Sequence, residues 1–314
     1  TTVQKLADGG LGSILDYSVE GKEDDATLDR TTDEILRTIA AAKSRKGIPF
    51  SVFKPSGISP THLLTEVSKG STLSPEDARE WKLVLARLER ICAAAAEADV
   101  PVLIDAEESW MQPAIDGMTA SMMEKFNRNK AIVFNTVQHY RHDRLAFLQA
   151  AYAEAEAKDY HLGVKLVRGA YMEKERALAQ AEGRPSPIHA TKADVDRDYD
   201  DALRFCAAHI DRMAVCVGTH NEASTLLMAS LMNERGLAHN DRRIWFAQLL
   251  GMSDNISYNM ANAGYNVAKY VPYGPVREVL PYLVRRAAEN TSARGQTGRE
   301  LKFILAERKR RRLA

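Results

Sequence analysis

Short apolar runs separated by longer amphipathic stretches set the rhythm of this chain. Eight runs read as strands: residues 12–17, 48–54, 101–107, 131–138, 163–168, 214–220, 243–250 and 267–273. Most are nearly continuous in apolar residues rather than alternating, the pattern of strands buried on both faces of a parallel sheet. Helical periodicity fills gaps at 29–45, 74–96, 141–158, 192–209, 222–235 and 276–290. The second of these opens with a start signal: Ser74 as N-cap, Pro75 at the first helical position, then Glu76 and Asp77. Strand and helix alternate throughout, so the repeating unit is βαβ. Eight such units in 314 residues predict the α/β class and a closed (βα)8 TIM-type barrel. A doubly wound open sheet is the rival, and it normally carries a Gly-rich phosphate turn after its first strand. Here Gly9, Gly10 and Gly12 precede the strand and lack the GxGxxG spacing. Residues 68–72 predict a flexible loop.

Composition narrows the function classes. With 43 Lys and Arg against 42 Asp and Glu, the formal charge is +1, which excludes a strong general pull toward nucleic acid. Three cysteines, Cys92, Cys206 and Cys216, are too few and too widely spaced for a disulfide framework or a zinc site, and a reducing compartment is expected. No run of about 18 apolar residues predicts a membrane span. The chain opens at Thr1 rather than Met, the start expected of a processed or trimmed chain. The run Arg308-Lys309-Arg310-Arg311-Arg312 reads as a solvated basic tail, with contact to anionic lipid as its sharper reading.

Chemistry in such a barrel gathers where the strands end. The predicted ends carry Lys54, then Asp105, Glu107 and Glu108, then Gln138, Arg168 and Tyr171, then Thr219, His220 and Asn221, then Gln248, Tyr270 and Tyr273. Each alone reads as a structural hydrogen bonder; polar groups at nearly every strand end make a site. Lys54 reads either as a Schiff-base nucleophile or as a fixed charge paired with Asp105, and pairing is favoured because Asp105 ends the adjacent strand. His139 and His142 have ligand-pair spacing, but no carboxylate partner stands out, so a structural role is expected. No HExxH, P-loop, GxSxG or CxxC occurs. On the final predicted helix, Tyr282, Arg285, Arg286 and Glu289 share one face. Adjacent arginines can clamp a carboxylate and Glu289 can meet an ammonium; ordinary surface Arg–Glu pairs are the plain alternative.

Taken in order, these segments resemble one family, the proline dehydrogenases, from residue 14 to about residue 295. They are Val52-Phe53-Lys54, Ile104-Asp105-Ala106-Glu107-Glu108, Leu166-Val167-Arg168-Gly169-Ala170-Tyr171, Thr219-His220-Asn221, Gln248-Leu249-Leu250-Gly251, Tyr270-Val271-Pro272-Tyr273-Gly274, and Tyr282-Leu283-Val284-Arg285-Arg286-Ala287-Ala288-Glu289-Asn290. The monofunctional, eukaryotic-type branch is the nearer likeness. The resemblance implies a distorted barrel over residues 1–295 with its last helix packed over the active site, and a helix or basic tail at 296–314.

It also implies FAD as cofactor and oxidation of L-proline to Δ1-pyrroline-5-carboxylate, with electrons passed to a quinone. By position, Arg285 and Arg286 would hold the substrate carboxylate, with Glu289, Lys54 and Asp105 on the polar side. Tyr270, Tyr282 and Leu249 or Leu250 would enclose the ring, and Tyr171 would lie against the flavin. Cofactor contacts would fall to Gln138, Lys165, Val167, Arg168, Gly169, Thr191, Lys192, His220, Asn221 and Gln248. The bifunctional relatives carry Arg at the position of Lys165 and Lys at that of Arg168. Keeping Tyr270 favours proline over hydroxyproline, whose dehydrogenase is the first alternative; a Schiff-base aldolase using Lys54 is the second. Implied partners are peripheral membrane contact and a downstream pyrroline-5-carboxylate dehydrogenase. The implied location is the cytoplasm or inner-membrane periphery of a bacterium, or the mitochondrion of a eukaryote.

Overall fold

The computed structural model describes residues 1–17, 24–45, 47–276, 279–280, 284 and 305–311. Eight parallel strands close into a barrel in sequence order: β1 (Gly12–Tyr17), β2 (Phe50–Phe53), β3 (Val102–Ile104), β4 (Val133–Gln138), β5 (Leu162–Val167), β6 (Met213–Gly218), β7 (Ile244–Leu249) and β8 (Val267–Tyr273). The ring is sealed by β1 against β8, with Gly12 opposite Ala268 and Tyr17 opposite Tyr273. The helices are α1 (Thr2–Asp8), α2 (Asp25–Ser44), α3 (Thr61–Lys69), α4 (Pro75–Ala98), α5 (Gln112–Phe126), α6 (Arg144–Ala157), α7 (Met172–Ala181), α8 (Lys192–Ala208), α9 (Glu222–Glu234) and α10 (Asp254–Asn262). The barrel class is as expected, and so are all eight strands.

Alternate residues along each strand face opposite sides of the barrel wall. Ile14, Phe50, Val52, Leu103, Phe134, Ala214, Cys216, Ala247 and Ala268 fill the interior. Phe50 meets the edges of Phe134 and Trp245 at centroid distances of 5.7 and 5.5 Å. Gly163 makes this possible, since a Cβ there would stand 2.9 Å from the Phe134 ring. The other face of the strands packs against the helices in a larger apolar layer that includes Leu88, Ile91, Val102, Ile104, Leu166 and Leu203.

Differences from expectation lie at the element ends. Helix α2 begins at Asp25, four residues before the expected start, because Asp24 caps it: the Thr27 N–H donates to Asp24 Oδ1 at 2.9 Å. Arg87 of α4 then binds Asp25 and Asp29, each at 2.7 Å. Residues 68–72 are not one loop: Ser68 and Lys69 close α3, and Gly70 caps it with φ at 70°. The strand expected over 101–107 stops at Ile104, leaving Asp105 to Glu108 free to turn toward the barrel mouth. The helix expected from 141 starts at Arg144, because residues 140–142 pair with 187–189. Short helices α1, α3, α5, α7 and α10 were not expected.

Candidate active site at the barrel mouth

Period-two alternation carries the inward-facing row of β1, β2, β3, β5 and β8 up to Asp16, Lys54, Asp105, Lys165 and Tyr270. These five side chains form one cluster. Asp105 is its hub: Oδ2 accepts from Lys54 Nζ at 3.3 Å and from the Tyr270 hydroxyl at 2.6 Å, while Oδ1 pairs with Lys165 Nζ. Lys54 Nζ also lies 3.9 Å from Asp16 Oδ2. Lys165 Nζ sits 4.9 Å from the centroid of the Tyr270 ring. Burial alone would raise the Asp105 pKa, but the charges of Lys165 and Lys54 outweigh it and hold the carboxyl at about 2. The expected Lys54–Asp105 pair is therefore present, and Lys54 is a paired cation rather than a lone amine. Asp16 was not singled out from sequence. Its signal was a single acid of the same parity as Ile14 in an apolar strand.

A second group supports this cluster from the β3 side. Glu107 accepts the Ser56 N–H at 2.7 Å, tying the turn after Lys54 to the segment after Asp105. Gln138 Nε2 donates to the Glu107 carbonyl at 2.7 Å, and the Glu107 N–H donates to Gln112 at 3.0 Å. Burial pushes the Glu107 carboxyl up to about 7, against the pull of the Ser56 donor. Nearby, Lys174 Nζ pairs with Glu108 at 2.8 Å, and its ammonium lies 5.8 Å from the buried Tyr171 ring.

The ends of β4 to β6 differ in character. Arg168 Nε donates to Asp196 at 2.8 Å, Nη1 to Thr219 Oγ1 at 2.8 Å and Nη2 to Ser224 Oγ at 3.0 Å. The guanidinium is 4.4 Å from the Tyr199 ring centroid. Gly169 takes φ of 133°, and a Cβ there would run into the Tyr140 ring, so only glycine leaves this backbone bare. Val167 ends β5 half-buried. Thr191 caps α8, accepting the Asp194 N–H at 3.2 Å, and Asn221 caps α9, accepting the Ser224 N–H at 3.2 Å. Lys192 is exposed and pairs with Asp196. His220 Nδ1 lies 3.0 Å from Ser253 Oγ. Amide, hydroxyl, imidazole and cation beside a bare glycine form a donor set that fits a large cofactor with phosphate and heteroaromatic parts.

The structure gathers most of the expected residues at one end of the barrel. Gln248 stands apart: its carboxamide donates to the Thr219 carbonyl at 3.2 Å and accepts from Ser257 at 2.8 Å, on the helix-facing side of β7. Leu249 is half-buried at the end of β7, and Leu250 beyond it is exposed. Tyr282, Arg285, Arg286 and Glu289 lie outside the described residues. His139 has the structural role expected of it, with a carboxylate partner that the sequence did not reveal: Asp198 Oδ2 at 2.6 Å, and it is fully buried. Burial depresses its pKa while Asp198 opposes the shift. His142 does not join it; His189 does, 3.7 Å from Asp198.

Comparison with known proteins places this geometry. A family model described as Proline dehydrogenase matches residues 1–299. The carbapenem antibiotics biosynthesis protein CarD of Pectobacterium carotovorum is 36% identical over 99% of this chain and 80% of its own length. The mitochondrial proline dehydrogenase 1 of Arabidopsis thaliana is 35% identical over 97% of this chain and 70% of its own. Among solved structures, proline utilization A (PutA) from Bdellovibrio bacteriovorus, inactivated by N-propargylglycine, superposes with a TM-score of 0.81 over 92% of this chain at 18% identity. That likeness speaks for the fold, and this chain spans 31% of the PutA chain.

Proposed function

The chain belongs to the proline dehydrogenase family, and from that premise we propose that its barrel mouth oxidises L-proline to Δ1-pyrroline-5-carboxylate as an FAD enzyme that hands electrons to a quinone. The observation that carries this reading is the buried cluster of Lys54, Asp105, Lys165 and Tyr270 at the strand ends. When bound, FAD supplies the two-electron acceptor for the hydride that leaves the ring carbon beside nitrogen.

The protein's own work is binding, orientation and proton control. The substrate amine must be neutral before its neighbouring carbon gives up hydride. A cationic Lys54, fixed by Asp105, disfavours a second positive charge beside it and so favours loss of the amine proton. Tyr270, anchored through its hydroxyl to Asp105, presents its ring as one wall for an apolar pyrrolidine. The same anchored ring crowds an added ring hydroxyl, which is why proline is favoured over hydroxyproline. Arg285 and Arg286 would take the carboxylate, and Tyr282 and Glu289 would complete the enclosure. Gln138, Lys165, Val167, Arg168, Gly169, Thr191, Lys192, His220 and Asn221 would hold the cofactor. Peripheral membrane contact would bring the enzyme to its quinone, and a pyrroline-5-carboxylate dehydrogenase would consume the product. Among the described residues, no helix is long and apolar enough to cross a membrane.

The test is the colour of the purified protein. A flavin spectrum that bleaches when L-proline is added without oxygen is expected. A colourless preparation that FAD cannot reconstitute would sink the reading.

A further inference from the structure

On the outer side of the barrel, three neighbouring strands carry buried polar side chains in one row. Ser13 of β1, Lys269 of β8 and Gln248 of β7 are register partners in one row, and they are 0%, 0% and 2% exposed. Thr219 continues the row past the end of β6, where its N–H donates to the Ala247 carbonyl at 3.2 Å.

This row meets the turn that follows β7. Lys269 Nζ donates to the Met252 carbonyl at 2.6 Å and pairs with Asp254 at 2.7 Å. Within the turn, Gly251 has φ of 77° and the buried Ser253 has φ of 51° with ψ of 42°. Ser253 Oγ lies 3.0 Å from His220 Nδ1, so the turn is tied to β8 on one side and to the segment after β6 on the other. The Leu250 N–H donates to the Tyr270 carbonyl at 3.0 Å, so the turn leaves β7 directly beside the Tyr270 backbone.

A left-handed serine and a fully buried ammonium both cost stability. Apolar replacement of a buried ion pair is often neutral or stabilising, so global stability does not account for Lys269. What an apolar side chain cannot do is fix the direction of the Met252 carbonyl, and with it the path of the chain out of Leu249 and Leu250.

We infer that Lys269 is a positioning residue that sets the apolar wall of the substrate pocket: through the 250–253 turn it holds the end of β7, where Leu249 or Leu250 would be that wall, at the distance a five-membered ring requires. The inference rests on the proline-oxidising reading above. Lys269 itself faces away from the mouth, so it acts on ring size without touching substrate.

The test compares Lys269→Met and Asp254→Asn with the wild type, using L-proline and its six-membered homologue, pipecolate. Asp254 is 60% exposed, so its amide variant folds if the parent does. For Lys269→Met, flavin content should match wild type. The proline KM should rise, and preference for proline over pipecolate should fall, each by about 10-fold, near the low end of what one misplaced methylene costs. The turnover number should stay within about threefold, since the interaction made is one of binding. Asp254→Asn should move the same ratio in the same direction by less. A wild-type ratio in Lys269→Met, with or without a lower melting temperature, overturns the inference. If that variant does not fold, an unchanged ratio in Asp254→Asn overturns it. A wild-type flavin that L-proline does not bleach overturns the proline reading, and this inference falls with it.

Discussion

The inner and outer faces of the strand ends both bury lysine, and they use it differently. Inside, Lys165 is 6% exposed and meets Asp105, just past β3, which also holds Lys54, just past β2, and Tyr270 of β8. Outside, Lys269 is 0% exposed and meets a backbone carbonyl and Asp254 of the adjoining turn. The inner charges are bound across the barrel and balanced against one another at its mouth. The outer charge is spent on backbone geometry and is sealed beneath the helices. The contrast shows that burial of a charged side chain does not itself mark chemistry; what the charge is bound to does.

The largest effect should come from breaking the inner hub. Asp105→Asn leaves one buried and one half-buried ammonium group facing a neutral amide. A stability loss of about 3 kcal/mol or more is expected in urea denaturation, in line with other broken buried pairs. Turnover with L-proline should fall about 100-fold or further, because Lys54 and Tyr270 lose their shared anchor. A variant with near-parental stability would show that the inner cluster is not coupled through Asp105.

Next comes the pH dependence, where the two carboxyls of the β3 segment carry opposite signs. Asp105 is depressed to about 2 from an unfolded value of 3.8, so its contribution is present above pH 3.8 and is lost as pH falls through about 2. Glu107 is raised to about 7 from 4.5, so its contribution is full below pH 4.5 and is lost as pH rises through about 7. The Glu107 shift corresponds to roughly 3 kcal/mol across that window. Glu107→Gln keeps an oxygen for the Ser56 N–H and cannot ionise. Its stability should therefore run flatter than wild type between pH 4.5 and 7, measured by denaturation at each pH. An identical slope would remove Glu107 as the titrating group.

The smallest effect separates stability from binding on the cofactor side. Lys192 is 77% exposed beside Asp196, and a surface pair of this kind contributes within about 0.5 kcal/mol. Lys192→Ala should leave the melting temperature unchanged. If Lys192 reaches a flavin phosphate, the same variant weakens FAD binding several-fold and makes it less sensitive to salt. Equal affinity would withdraw that contact from the proposed set.

Much of this was legible from residue order. Continuous apolar runs gave all eight strands, and Lys54, Asp105, Gln138 and Tyr270 near their ends pointed to the mouth. Lys54 and Asp105 were paired correctly because they end adjacent strands. The helices that the pattern does not reveal are short or broken: α5 contains Gly117, with Met118, Met122 and Met123 interrupted by Thr119 and Ser121, and α3 follows Pro60. Lys165 and Lys269 could not be told apart. In Val267 to Tyr273 both parities are apolar, so nothing in the run says which way Lys269 faces until the register with Ser13 and Gln248 is known. The Asp198 partner of His139 was hidden for a similar reason, since 59 residues separate them.

The way the hub is assembled bears on the order in which the protein can become competent. Asp105 is 51 residues from Lys54, 60 from Lys165 and 165 from Tyr270. Each of these bonds closes a longer loop than the last, and long-range contacts form late in folding. The two lysines can find their counter-charge once β5 is made. Tyr270 arrives only when β8 pairs with β1 and the ring shuts. A chain folding from its N-terminus would thus hold its charges in balance well before it had a wall for its substrate, and the final strand would act as the step that arms it.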